Sequence, residues 1–467
     1  MRKLIKTILY IMLISFVLVG CGSKNKDGKD KETKDNKGKA DLPWLKNAVI
    51  YEVNLRQFSA SGNFKGFTAH LDSLKMLGAD VLWFMPLQTI GVKNRKGSLG
   101  SYYSIKDYKA INPEFGTEDD FRLLVEKCHE KGFKIILDWV GNHTSWDNNL
   151  MTEHPDWYTK DNAGKIIQPV ADWTDVADLN YDKKELREYM IDAMKWWLDE
   201  FDLDGFHCDA ANMVPTDFWE EATSELTKMK KVLMIAEAEQ PNMMQKAFHA
   251  CYGWEFNNIL KEIYKGNGNA DSIVNYFDRT SKNYPADAMK MHFVANYEEN
   301  AIGGAKELFG ESEDAITALT FTINGLPLIY NGMEAGVNTS LKFFDKDAIK
   351  WNNPNAGVRF EFYKTLVSIR HKNPALWTNV DGQTNTRIFE KYKDVYGFIR
   401  QSGENKVLVV ANLSNKTIQM DSREIAGLEK YDLRLYKNMK TDGVFLYELG
   451  PWGYSVSTLN EPEGGRK

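Results

Sequence analysis

The sequence predicts an α/β fold, a closed (β/α)8 TIM barrel of eight parallel strands followed by a C-terminal antiparallel β-sandwich domain. From about residue 44 to 380, short apolar runs alternate with amphipathic helical patterns, which is typical of parallel sheets covered by helices. Near residue 380 the pattern changes to short strands separated by Gly and Asn turns. The 467 residues, 43% of them hydrophobic, suffice for a large core and two or three domains.

Seven barrel strands are predicted from apolar runs at 48–53, 81–86, 134–138, 205–209, 233–237, 291–296 and 326–330. An eighth is predicted near 250–256, and eight strands favour a closed barrel over an open sheet. Amphipathic segments between them predict helices at 68–77, 118–131, 184–201 and 217–229.

These elements define the expected domain limits. We assign 43–379 to the barrel, with a small insert after its third strand at about 142–180. The β-domain is assigned to 380–467, with strands expected at 387–400, 406–412, 431–435 and 454–459.

The first forty residues predict an export signal. Arg2, Lys3 and Lys6 precede an apolar run over 8–19, which is shorter than the ~20 apolar residues of a membrane span, so 1–20 is interpreted as a signal peptide. The run leads into Gly20 and Cys21, which resembles the lipidation signal of bacterial lipoproteins. The alternative is a plain secretory signal with a chance Cys.

Residues 21–42 are expected to form a lipidated Cys and a disordered, Lys- and Asp-rich tether. The sequence therefore predicts an exported lipoprotein that faces the periplasm or the cell exterior. Its only contact with the membrane would be the lipid on Cys21.

Charge and cysteine content exclude several classes of protein. A net charge of -6 with scattered Lys and Arg gives no basic face for nucleic acid. Cys128, Cys208 and Cys251 fit neither a zinc spacing nor a paired framework. An exported protein could join two of them, but their apolar contexts favour three buried free thiols.

Polar residues follow four predicted strands at their C-terminal ends, where barrel enzymes carry their active sites. They are Asp138, Asn142, His143, His207, Asp209, Glu237, Glu239, Asn296, Tyr297, Glu298 and Glu299. Any one of these ends could be a cap or a solvated loop. Four in register indicate a site, because clustered like charges are costly. Two carboxyl groups on either side of a glycosidic bond are the usual machinery of sugar hydrolysis.

Several ordered segments carry a specific resemblance from about residue 44 to 460. They are AVIYEVNLRQF, GSYYSIKDYKAINPEFGT, DWVGNH, TDVADLN, GLPLIYNGMEAG and LGPWGYSVSTL. The chain resembles the α-amylase family, glycoside hydrolase family 13. The resemblance implies retaining cleavage of α-glucosidic bonds in starch-type glucans or maltooligosaccharides.

The resemblance also assigns roles to matched positions. It implies Asp209 as nucleophile, Glu237 as general acid/base and Glu298 as a third acid. Among substrate-binding residues, Tyr103 would lie under the sugar at the cleavage site and His143 would bind its hydroxymethyl group, with His207, Asn296 and Tyr297 beside them. Asp138 and Asn142 would brace the site. Glu239 is the rival of Glu237, since period two would point both side chains the same way.

No cofactor is expected. Many members of the family bind calcium near the position of Asn142, and Asp172, Asp175 and Asp178 could supply oxygen ligands or could simply be solvated loop acids. The loop after the first strand, SASGNFKGF, contains no acid, so a second calcium site there is not expected.

Three positions depart from the family pattern. His207 replaces an Arg, Tyr297 replaces a His and Glu298 replaces an Asp. Since neutral His cannot match the fixed charge of Arg, the nucleophile is expected to have a raised pKa. Two hypotheses remain: a glycosidase with altered or reduced activity, and a non-catalytic α-glucan-binding or interaction protein on the same barrel.

Overall fold

A computed structural model describes residues 38–337 and 339–459. The predicted signal peptide, Cys21 and the tether up to residue 37 lie outside the described residues. Within the two described ranges, no helix is long and apolar enough to cross a membrane.

Eight parallel strands close into a barrel, as predicted, and neighbours in sequence are neighbours in space. They are β1 (Ile50–Val53), β2 (Val81–Phe84), β3 (Lys134–Val140), β4 (Gly205–Asp209), β5 (Leu233–Ala236), β6 (Ala250–Tyr252), β7 (Met289–His292) and β8 (Leu326–Tyr330). The eighth predicted strand is β6. The prediction for β7 was displaced toward the C-terminus, because residues 293–296 leave the barrel and Asn296 becomes the N-cap of a helix.

The barrel strands are buried on both faces, which is why they read as continuous apolar runs. Every residue of β1, β2, β5 and β8 is buried. Close strand approach also explains Gly205 at the start of β4: its φ is +153°, and a Cβ there would lie 1.9 Å from the Leu233 carbonyl oxygen.

Helices cover the barrel and link its strands. The α-helices of five or more residues are Phe64–Thr68, Leu71–Leu77, Glu118–Glu130, Lys184–Phe201, Thr216–Thr227, Trp254–Tyr264, Ala270–Asn283, Tyr297–Ile302, Ala305–Phe309, Glu313–Thr322 and Ala356–Lys372. The helix Glu118–Glu130 starts at a capping box in which Thr117 and Asp120 bind each other's backbone amides. Its buried face includes Cys128. As expected, Cys128, Cys208 and Cys251 are buried free thiols.

The C-terminal domain is antiparallel, as predicted. Its strands are β9 (Thr384–Ile388), β10 (Val395–Ser402), β11 (Asn405–Asn412), β12 (Ile418–Asp421), β13 (Tyr431–Thr441) and β14 (Leu446–Leu459). The long β14 pairs with β11, β12 and β13. The predicted single strand 387–400 is two strands, β9 and β10, joined by a turn. The insert after β3 contains a short antiparallel pair, His143–Ser145 with Val176–Asp178.

Two buried arginines lie where the barrel meets this domain: Arg370 binds within the barrel, and Arg400 of β10 reaches across to it. Arg370 donates to four carbonyl oxygens, including that of Gly325 at 2.8 Å, and to the Thr378 hydroxyl. Arg400 donates to the carbonyl oxygens of Thr322, Leu376 and Trp377. Burial lowers the pKa of each guanidinium to about 9. Among the described residues, both guanidinium groups donate hydrogen bonds only to neutral oxygen atoms.

We expect Arg370→Met to lower the free energy of unfolding by about 3–5 kcal/mol, because it strands several buried carbonyl groups without donors. Urea titration measures the change. Arg423→Met is the control, since the Arg423 side chain is 66% exposed and its one salt bridge among the described residues is with Asp421; its effect should stay within about 0.5 kcal/mol. Equal effects of the two substitutions would contradict this account of the junction.

Candidate active site

Five acidic side chains meet where the C-terminal ends of the barrel strands converge. They are Glu52 of β1, Asp138 of β3, Asp209 of β4, Glu237 after β5 and Glu298 after β7. Glu298 is half-buried and the other four are at most 6% exposed. Sequence reasoning missed Glu52. Its signal was a lone acid inside the fully buried strand IYEV.

The Asp138 carboxylate is the centre of this cluster. One oxygen, Oδ2, accepts hydrogen bonds from the Tyr103 hydroxyl at 3.1 Å and the Trp83 indole at 3.3 Å. The other, Oδ1, lies 2.9 Å from Nδ1 of His207. Asp138 thus orients three side chains from three different segments.

His207 does not pair with Asp209, which lies two residues further along β4. Its ring binds Asp138 and stacks on Trp83 with 3.9 Å between ring centroids. Its second nitrogen, Nε2, has no hydrogen-bond partner among the described residues. Asp209 forms no salt bridge within the described ranges, so its carboxylate lacks the fixed cation of the family pattern.

Asp209 and Glu237 lie on adjacent strands and contact each other. The Ala210 amide donates to Glu237 Oε2 at 2.8 Å, and the Glu237 amide donates to the Cys208 carbonyl at 3.0 Å. These two hydrogen bonds hold the Glu237 side chain beside Asp209.

Burial is the largest cause of the raised pKa values of four of these acids, Glu52, Asp209, Glu237 and Glu298. It raises the pKa of Asp209, and the carboxylates of Asp138 and Glu298 raise it further. Burial and then Asp209 raise the pKa of Glu237. For Glu298 the causes are burial and Glu237, partly opposed by Lys261. The site therefore holds protons at pH values where exposed carboxyl groups have lost them.

An aromatic group lines the same site. Tyr297 stacks on Tyr103 with 5.0 Å between centroids, and Phe343 lies nearly parallel to Tyr103 at 6.2 Å. Phe343 was not anticipated, because it lies in an irregular segment after β8 where no periodic pattern exists. Tyr297 also supplies a backbone amide, which donates to Glu52 at 3.2 Å.

The other predicted residues lie around this centre. His143 is buried 5.3 Å from the Trp173 ring, and burial lowers its pKa to about 3, so it is neutral at pH 7. Asn142 lies beside it, with Nδ2 3.3 Å from His143 Nδ1. Asn296 is fully buried and caps a helix by accepting from the Glu299 amide at 2.8 Å.

Glu239 and Glu299 point away from the acidic cluster. Strand β5 ends at Ala236, so period two no longer applies, and Glu239 binds Lys290 Nζ at 3.3 Å. The expectation that Glu239 shares the direction of Glu237 is wrong. Glu299 pairs with Lys261 at 2.6 Å.

The candidate calcium ligands of the insert have protein partners. Asp175 pairs with Lys96 at 3.0 Å, and the Asp172 carbonyl accepts from the same ammonium. Asp178 belongs to the short antiparallel pair opposite His143. In residues 38–337 and 339–459, no three His, Cys, Asp or Glu side chains are grouped as a metal site.

Comparison with known proteins agrees with this geometry. The family model described as the α-amylase catalytic domain matches residues 25–173 and 170–396. This chain belongs to the α-amylase family.

Solved structures of family members share the whole described fold. An α-amylase from Lactobacillus plantarum is 30% identical, with a TM-score of 0.78, and the match covers 89% of this chain and 99% of that one. A maltogenic α-amylase, AmyB from Thermotoga neapolitana, is 28% identical with a TM-score of 0.75, covering 89% and 97%. The α-amylase MalA of Haloarcula japonica is 26% identical over 80% of this chain, which spans only 56% of MalA.

The buried acids of this α-amylase family member should cost stability at neutral pH. Burial raises the pKa of Glu52, and the Asp138 carboxylate raises it further. Because the folded pKa exceeds the unfolded value of about 4.3, stabilisation is complete below about pH 4 and is lost as pH rises through the folded value. Glu52→Gln should therefore raise the free energy of unfolding at pH 7 by about 1–3 kcal/mol.

The measurement is thermal unfolding at pH 4 and pH 7. The gain from Glu52→Gln should shrink at pH 4, where the wild-type carboxyl is protonated. Glu361→Gln is the control, because Glu361 is 63% exposed and pairs with Lys364. A gain that is independent of pH would show that packing, rather than ionisation, is responsible.

Proposed function

We propose that the chain is a retaining glycosidase of the α-amylase type that cleaves α-glucosidic bonds in starch-type glucans or maltooligosaccharides. The observation that carries the proposal is the contact of Asp209 with Glu237, held by the hydrogen bond from the Ala210 amide. Retaining enzymes need two such carboxyl groups, one ionised and one protonated. Burial and then the neighbouring Asp209 raise the pKa of Glu237, as a general acid requires.

In the first step, Asp209 attacks the anomeric carbon while Glu237 gives its proton to the departing glycosidic oxygen. The anomeric carbon thereby exchanges its bond to the leaving sugar for one to Asp209. In the second step, Glu237 takes a proton from water, which displaces Asp209 and releases the sugar with its original configuration. Tyr103 presents its ring to the apolar C–H face of the sugar, and Asp138 holds that ring by its hydroxyl.

The replacement of Arg by His207 does not leave Asp209 without support. Burial has the largest effect on Asp209 and raises its pKa, while the neighbouring Tyr297 side chain opposes this rise in part. Glu298 occupies the sequence position of the family's third acid, and burial and then Glu237 raise its pKa.

A second candidate function also has an observation in its favour. Tyr297 stacks on the Tyr103 ring with 5.0 Å between centroids. Such an aromatic pair would also suit a protein that binds a sugar without cleaving it. We favour catalysis, because a binding protein gains nothing from two buried carboxyl groups in contact, and like charges there cost stability.

Exposure to 5-fluoro-α-glucosyl fluoride should give a covalent adduct on Asp209, located by peptide mass spectrometry. Glu237→Gln should lower kcat/KM on maltooligosaccharides by at least about 10³-fold, because both proton transfers are lost. Glu239→Gln is the matched control and should change it less than about threefold, since Glu239 binds Lys290. Binding of maltooligosaccharide without adduct or turnover would establish the second function instead.

We also propose that the chain is exported and held at a membrane by a lipid on Cys21. The basic start, the apolar run over 8–19 and the following Cys support this. Full-length protein should partition into the detergent phase of a Triton X-114 extract, and Cys21→Ser should move it to the aqueous phase. Recovery of the wild-type protein in the aqueous phase would leave only a plain secretory signal.

A further inference from the structure

Two loops are fastened together above one side of the barrel. The first follows β2 and the second follows β8. The Leu99 amide donates to the Phe344 carbonyl at 3.0 Å, and Asp345 accepts from the Ser98 amide at 2.8 Å. We call residues 97–99 with 341–347 the clasp.

Gln57 anchors the clasp to the barrel from below. It is fully buried after β1, and its side-chain amide donates to the carbonyl oxygens of Lys342 and Asp345. Its side-chain oxygen accepts from the Asp347 amide. Gly97 adopts a φ of +63° and lies so close to Phe344 that a Cβ would be 2.4 Å from it. The two loops of the clasp are therefore fastened to each other and to the barrel.

The clasp places Phe343 against the sugar platform. The Phe343 ring lies 6.2 Å from Tyr103 with 13° between planes, and it also contacts Tyr102 and Tyr297 at 5.7 and 6.3 Å. Phe343 is half-buried by these contacts. A sugar lying on Tyr103 would have the Phe343 ring next to one edge of the sugar.

The order of strands shows which edge that is. The clasp lies above β8, β1 and β2, whereas Glu237 follows β5, four strands away around the closed barrel. Glu237 must face the glycosidic oxygen on C1 of the bound glucose. Since C1 and C4 are opposite ends of a pyranose ring, a glucose lying on Tyr103 with C1 at Glu237 would direct C4 toward the side of the barrel that carries Phe343.

We propose that the clasp makes the protein an exo-acting enzyme, which hydrolyses the terminal α-glucosidic bond at the non-reducing end of maltooligosaccharides. An enzyme that cuts inside a chain needs room beyond C4 for the next glucose, and Phe343 fills that room. The reaction consumes one water per bond and releases α-glucose and a chain shorter by one unit. This inference rests on the proposed glycosidase activity and specifies its substrate.

The test compares two p-nitrophenyl α-maltopentaosides, one with a free non-reducing end and one with that end blocked by a 4,6-O-ethylidene group. The wild-type protein should cleave the free substrate at least about 100-fold faster, because the blocked end clashes with Phe343. Glucose should be the first product seen by chromatography, and ¹H NMR should show its α-anomer.

Phe343→Ala should raise the rate on the blocked substrate at least about tenfold. The control is Phe445→Ala, since Phe445 is 59% exposed in the C-terminal domain, and it should change neither rate. Similar rates on both substrates in the wild-type protein would overturn the exo assignment while leaving the glycosidase function intact. Failure to turn over either substrate, with no adduct on Asp209, would overturn both.

Discussion

The arrangement of the site depends on the Asp138 carboxylate. It is fully buried, yet it accepts hydrogen bonds from Tyr103 and Trp83 and binds His207. A buried carboxylate is tolerated only when such partners replace water. The need to satisfy one anion therefore fixes the loop after β2, the inner face of β2 and the inner face of β4 relative to one another. The Tyr103 ring is held in place by its hydrogen bond to the same carboxylate.

The remaining acids have no comparable set of donors, and they show the cost of the site. Asp209 Oδ2 and Glu52 Oε2 find no hydrogen-bond partner among the described residues. Evolution of a stable barrel alone would replace such groups with apolar ones, because burial and mutual repulsion both oppose ionisation. That the chain keeps five carboxyl groups together is explained if they act on a substrate, whose oxygens and developing positive charge would complete the network.

The sequence predicted the parts of this molecule that periodicity governs. Buried parallel strands read as apolar runs, so the barrel and the position of its polar rim were predictable, and ordered motifs placed Asp209 and Glu237. Side-chain contacts across the rim could not be predicted from these patterns. The partner of His207 depends on the side-chain direction of Asp138, 69 residues away in sequence. Glu239 diverges from Glu237 because the strand ends at Ala236, a boundary the pattern does not mark. Phe343 arrives through hydrogen bonds between two irregular loops, which leave no periodic signal.

Two of the departures from the family pattern, His207 and Tyr297, are not independent of one another. His207 stacks on Trp83, Trp83 meets the edge of Tyr297 at 6.4 Å, and Tyr297 stacks on Tyr103. Tyr103 and His207 then close the circuit by binding the same carboxylate of Asp138. His207, which replaces an Arg, and Tyr297, which replaces a His, are thus parts of one packed unit around Trp83. Substitutions within such a unit are not additive, so returning one position to the family residue would disturb the contacts of the other. The changes at 207 and 297 are better understood as one repacking than as two separate losses.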